Sequence, residues 1–298
     1  MAIRTDLALE AKELWEESAG RTTRLRGVMA RESKAGGVDI TSVEVLNEEG
    51  AQALQKPVGR YVTLELTAFG KKQRDSLERS AEVLASQLQK LMKLKRGQTV
   101  LVAGLGNEAV TPDAIGPKVA RQLLVTRHLV SEMPTLFGSY RPVAAVTPNV
   151  LGLTGLESAE VVAGVVDRIR PDCIVAVDAL AARDLRRVCT TIQLSDTGIA
   201  PGSGVQNARA EFTSRRFGVP VVAVGVPTVA DVETLLTDVV GAEEAHSRAE
   251  EMSGGRPMIV TPQDIDAQVD RISKLVAWGI NLALQENLDV EDLAFFVE

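Results

Sequence analysis

Apolar residues run unbroken at Val100-Leu101-Val102-Ala103 and again at Cys173-Ile174-Val175-Ala176-Val177. Such runs mark strands buried on both faces, the habit of a parallel sheet covered by helices. Further strands are predicted at 141–148, 190–194 and 220–226. Nearer the start, Val38–Val45 and Arg60–Leu66 alternate apolar and polar residues, as half-buried strands do. Gly36-Gly37 and Lys56-Pro57-Val58-Gly59 punctuate this region, so residues 24–65 predict a small antiparallel piece attached to the main sheet. Helical spacing starts at Leu7, with Leu7, Ala11, Leu14 and Trp15 on one side and Thr5 or Asp6 placed to cap it. It returns over 71–94, where Leu77, Ala81, Leu84, Leu88 and Leu91 share a face. Helices are also predicted over 154–169, with Thr154 and Glu157 at capping-box spacing, over 231–240, and from Pro262 to Leu284. Residues 242–257, polar and glycine-bearing, read as a mobile excursion. The alternation predicts an α/β fold: a mostly parallel twisted sheet covered by helices, with a small N-terminal antiparallel β appendage.

Composition refines this picture. Hydrophobic residues are 45% but aromatics only 3%, so the core must be built from Val, Leu, Ile and Ala. The net charge of −7 argues against a basic surface that binds nucleic acid directly. Two cysteines, Cys173 and Cys189, do not make a disulfide framework. No signal-peptide pattern opens the chain and no apolar run reaches the ~18 residues of a membrane helix. The expectation is a soluble, cytoplasmic protein of a reducing compartment, without a membrane partner.

The chemistry gathers around residues 97–116. The strand at Val100 breaks into Gly104-Leu105-Gly106-Asn107, where small residues allow a tight turn and close backbone approach. A polar loop then carries Asp113 before Gly116-Pro117 opens a helix. Ala109 stands where the third glycine of a dinucleotide fingerprint belongs, and no P-loop lysine follows, so nucleotide binding is poorly supported. Asp113 and Asp178 each lie just past an apolar strand, where open α/β sheets place their ligands. Neighbouring strands are ~4.8 Å apart, so the two carboxylates can meet and share a proton, one activating water while the other acts as acid. The same oxygens could hold a divalent metal, and an incidental pair of aspartates is the plain alternative. Only His128 and His246 are available as imidazoles, so a conventional zinc site is poorly supplied; His128 could support the site or simply cap a helix. Gly202-Ser203-Gly204 reads as a loop facing substrate rather than a serine-nucleophile elbow.

Long ordered stretches then coincide with one family: Arg4-Thr5-Asp6-Leu7-Ala8-Leu9-Glu10-Ala11, GRYVTLE (59–65), VAGLGNEAVTPDAIGP (102–117), TRHL (126–129), VLGLTGLESAE (150–160), VDALAARDLRRV (177–188) and VGVPTVAD (224–231). Together they resemble the germination proteases of spore-forming bacteria along nearly the whole chain. The resemblance implies a sequence-specific endopeptidase of atypical aspartic type. It would initiate degradation of small acid-soluble spore proteins in the forespore or spore core, be made as a zymogen and assemble as a homotetramer. The family's aspartates fall on Asp113 and Asp178. Its fold is similar to that of hydrogenase-maturation proteases, whose carboxylates at these places contact metal, which keeps a divalent-metal mechanism open beside one with no cofactor. The family cuts after an acidic residue in a Thr-Glu-(Phe/Ile)-Ala-x-Glu context, and Thr5–Glu10 is a close copy. The resemblance thus implies self-cleavage between Asp6 and Leu7, with a propeptide (1–6), an N-terminal helix, β appendage and linking helix (7–96) and an α/β catalytic core (97–298). Two departures stand out: Ala200 replaces the family's usual histidine, which leaves a non-catalytic binding protein on the same fold as the alternative, and the 242–257 excursion is shorter than in many relatives.

Overall fold

In chain order the elements are α1 (Ala8–Ala19), β1 (Val28–Ala35), β2 (Val38–Val45), β3 (Gly59–Glu65), α2 (Ser76–Met92), β4 (Val100–Gly104), α3 (Ile115–Arg121), β5 (Val143–Val146), α4 (Ser158–Ile169), β6 (Cys173–Ala182), β7 (Thr191–Ser195), β8 (Val221–Asp231), α5 (Val232–Val240), α6 (Ala242–Ser253), β9 (Ile259–Val260), α7 (Ile265–Leu284) and α8 (Val290–Val297), with short helical turns between them. This computed structural model describes residues 5–19, 25–71, 73, 75–202, 209–254, 256 and 258–297.

The strands form one mixed sheet in the order β1-β2-β3-β7-β8-β6-β4-β5, with β9 on the far end of β8. Its centre is parallel: β5, β4, β6 and β8 run together. The flank is antiparallel, and β3 joins it to the centre through β7, which pairs antiparallel with both β3 and β8. The α/β class and the N-terminal antiparallel strands follow the reading of the sequence. The antiparallel piece is continuous with the main sheet rather than hung beside it.

Alternate residues of the central strands face two helical layers. Val100, Val102, Val175, Val177 and Val224 pack with Leu84 and Leu88 of α2, Val119 of α3, and Val269, Ile272, Val276 and Ile280 of α7. Leu101, Ala103, Ile174 and Ala176 face Ala159, Val162 and Val166 of α4, with Phe212 and Phe217. Burial on both faces explains why these strands read as unbroken apolar runs.

Several local expectations are corrected. Strand β6 does not stop at Asp178 but continues to Ala182, because β8 still pairs with it there while β4 has ended opposite Val177. Helix α4 starts at Ser158; its capping box joins Glu157 and Glu160, whereas the Thr154 hydroxyl bonds the backbone at Val150 and Leu156. Residues 242–253, read as part of an excursion, are helical. Among the described residues no helix is long and apolar enough to cross a membrane.

Candidate active site

Asp113 ends a single turn of 3-10 helix, Thr111–Asp113, rather than lying in open loop. The Asn107 N–H donates to its Oδ2 at 2.8 Å. Gly106 permits this, since its φ is +108° and a Cβ there would fall 2.0 Å from the Asp113 carbonyl oxygen. Gly104 is packed in the same way against Gly116, whose carbonyl oxygen would lie 2.2 Å from an added Cβ. These glycines therefore press the loop onto the end of β4 and the middle of β6, and the Leu105 N–H donates to the Val177 carbonyl at 2.8 Å.

Asp178 is the next residue, one position beyond the last pair of the β4–β6 ladder. Its side chain is only 3% exposed. Burial raises its pKa well above the carboxylate range, the negative charge of Asp113 raises it further, and the Ala179 N–H opposes both. Burial also raises the pKa of Asp113, against the Asn107 hydrogen bond. Both carboxylates line one cavity of about 410 Å³, together with Gly106, Asn107, Pro201, Gly202, Arg209 and Thr228. Thr228 was not singled out from the sequence as a site residue. Its hydroxyl is buried in this wall and has no hydrogen-bond partner among the described residues.

The remaining sequence candidates divide. Gly202 lines the cavity, whereas Ala200 is not part of its wall. Ser203 and Gly204 lie outside the described residues. His128 is exposed on a short helix, Arg127–Glu132, and is not part of the cavity wall. Asp113 and Asp178 offer two carboxylates to a metal, but among the described residues no group of three His, Cys, Asp or Glu side chains is gathered to hold one.

The cavity's other neighbour is the chain's own N-terminal segment, where the sequence reading placed the self-cleavage bond. Asp6 lines the same cavity. Its carboxylate accepts the Ala181 N–H at 2.9 Å, and its own N–H donates to the Ala181 carbonyl at 3.1 Å. The Asp6 carbonyl oxygen accepts from Lys56 Nζ and from Gln193 Nε2, each at 3.0 Å. Gln193 Oε1 in turn accepts the Ala8 N–H at 2.6 Å. Burial lowers the Lys56 pKa, against the pull of Asp6 and Glu10. Leu7 and Ala8 are fully buried. Glu10, buried as well, accepts the N–H groups of Arg183 and Asp184 at 2.7 and 3.1 Å and pairs with Arg187. Lys56 and Gln193 could not be found by spacing, because they meet Asp6 from 50 and 187 residues away.

Comparison with known proteins agrees on one family. A sequence model described as germination protease matches residues 8–253. Germination protease of Caldanaerobacter subterraneus subsp. tengcongensis is 43% identical over 98% of this chain and 97% of its own. That of Clostridium tetani is 40% identical over 98% of both chains, and that of Priestia megaterium 34% identical over 99% of this chain and 97% of its own. Among solved structures, the NiFe hydrogenase maturation protease HycI from Thermococcus kodakarensis covers 67% of this chain and 99% of its own, at 16% identity and a TM-score of 0.38. Matches of this extent to the family model and its curated relatives make the chain a member of the germination protease family.

Proposed function

We propose that the chain is a sequence-specific endopeptidase that initiates the breakdown of small acid-soluble spore proteins, and that Asp113 and Asp178 are its catalytic pair. The observation that carries this is the shared cavity: Asp178 within β6 just past the end of β4, Asp113 on the 3-10 turn beside it, and the chain's own acidic residue Asp6 in the same wall. Asp178, buried and raised, is the proton donor. Asp113, half-buried and stabilised as an anion by the Asn107 N–H, is the base that takes a proton from water. A pair with one shared proton suits this division. We further propose a zymogen that cuts itself between Asp6 and Leu7, works in the spore core and assembles as a homotetramer. Support for self-cutting comes from Asp6, which lines the cavity that holds Asp113 and Asp178.

The test is the intact mass of the full chain during mildly acidic incubation. Wild type should lose everything through Asp6, while Asp113→Asn and Asp178→Asn stay intact with native circular dichroism; the expected loss of rate is about 10³-fold or more. Undiminished processing in both variants overturns the pair. Processing abolished by a chelator and restored by a divalent cation would show that the carboxylates act through a metal.

A further inference from the structure

The contacts around Asp6 are more specific than burial requires. Strand β4 ends opposite Val177, so the edge of β6 that it covered is left without a strand beyond that point. Asp6 takes up this edge at Ala181, using both the N–H and the C=O of that residue. An extended peptide laid on a strand edge reads backbone through such bonds and side chains through the pockets beside them. The acidic side chain is read by the Ala181 N–H, and its negative charge favours the protonated form of Lys56 against the burial that lowers the lysine's pKa. The carbonyl oxygen that follows is gripped by two donors, Lys56 Nζ and Gln193 Nε2. Gln193 is set for this by the sheet: it pairs with Gly225 of β8, which pairs with Asp178 of β6. Gln193 and Asp178 therefore stand in one cross-strand row, with side chains on the same face, two strands apart at ~10 Å between backbones.

We propose that Ala181, Lys56 and Gln193 form the subsite for the acidic residue preceding the cut bond, with an extended acidic peptide as ligand. Lys56 and Gln193 are its positioning residues. This rests on the peptidase reading above. In hydrolysis, the water oxygen adds to the carbonyl carbon and the C=O electron pair moves onto the oxygen facing Lys56 and Gln193. One water proton passes to the ionised carboxylate. The C–N electron pair then leaves on the Leu7 nitrogen, which takes a proton from the protonated carboxyl. Donors fixed beside the oxygen favour the charge that develops there.

Two measurements on the full chain test this. The first compares hydrolysis of a peptide copying residues 1–12 with that of the same peptide carrying Asn in place of Asp6. Wild type should prefer the acidic peptide by about tenfold or more, and Lys56→Met should bring the two within about twofold. Gln193→Leu should lower kcat for both. A merely structural role for Lys56 would depress both peptides alike, so an unchanged preference in Lys56→Met overturns the subsite. The second is hydrogen exchange at the amides of residues 5–8 in Asp113→Asn, where the segment stays uncut. Loss of protection on adding Lys56→Met or Gln193→Leu supports the subsite, and unchanged protection overturns it. Should wild type cleave neither peptide, the peptidase reading falls, while the exchange result still decides the subsite.

Discussion

Burial makes Asp178 costly to ionise, and that cost has a sign that can be measured. Its pKa in the folded chain is raised, so in that state it holds a proton at pH values where the unfolded carboxyl, near 3.9, has lost it. The stability it contributes is complete below that unfolded value and is lost as pH rises through the folded one. Asp178→Asn keeps the shape without the charge. Thermal unfolding at pH 7–8 should therefore show this variant more stable than wild type, by about 1 kcal/mol or more, with the difference vanishing near pH 3. A destabilised variant at neutral pH would mean that the ionised carboxylate is well solvated after all. Asp113 and Asp178 were legible in the sequence because each follows an unbroken apolar run. Thr228 was not singled out as a site residue, since a threonine amid Val226-Pro227-Thr228-Val229 reads as ordinary strand.

At the scale of elements, the site depends on a close crossing. Where α3 passes the end of β4 and the middle of β6, an added Cβ at Gly116 would lie 2.2 Å from the Leu105 carbonyl oxygen, 2.3 Å from the Leu105 nitrogen and 2.6 Å from the Val177 carbonyl oxygen. All three are backbone atoms, so no side chain can swing away. Alanine favours helix over glycine by ~1 kcal/mol, yet Gly116→Ala should cost roughly 3 kcal/mol or more by forcing the helix and these strands apart. Chemical denaturation would check it; a neutral or stabilising result would show that the crossing is not tight. The individual strands were visible as apolar runs or alternations. Their lengths were less so: Asp178-Ala179-Leu180-Ala181-Ala182 begins with a polar residue and carries three alanines, a weak strand signal that β8 overrides by pairing. The helix at 242–253 was missed for the opposite reason. Ala-Glu-Glu-Ala-His-Ser-Arg-Ala-Glu-Glu favours helix residue by residue but offers little apolar stripe for periodicity to detect.

Across the whole molecule, the decisive contacts join distant parts of the chain. Tyr61 to Glu65 pair with Thr191 to Ser195, and through this ladder the first strands are tied to the central ones, with Asp178 on β6 among them. Periodicity reports which residues face a core but not which strand lies beside which, so this continuity was beyond the reach of pattern alone. The same holds for the N-terminal segment, whose resemblance to a cleavage sequence was legible while its seat was not. Glu10 ties α1 to the loop after β6 through Arg183, Asp184 and Arg187.

That tie gives the molecule a built-in optical reporter. The chain has two tryptophans. Trp278 is buried between α2 and α8, against Ala81 and Leu293. Trp15 rides on α1, half-buried against the small cluster of Val43, Val45, Leu54 and Tyr61. With so few indoles, if the proposed cut before Leu7 shifts α1, the shift would register as a change in emission from Trp15 over a constant background from Trp278. Trp15→Phe should abolish that change, and Trp278→Phe should leave it. A signal that tracks the mass change in time would mean that the helix moves as the leader is lost. Constant emission through complete processing would mean that α1 holds its place and that only the cavity is remodelled.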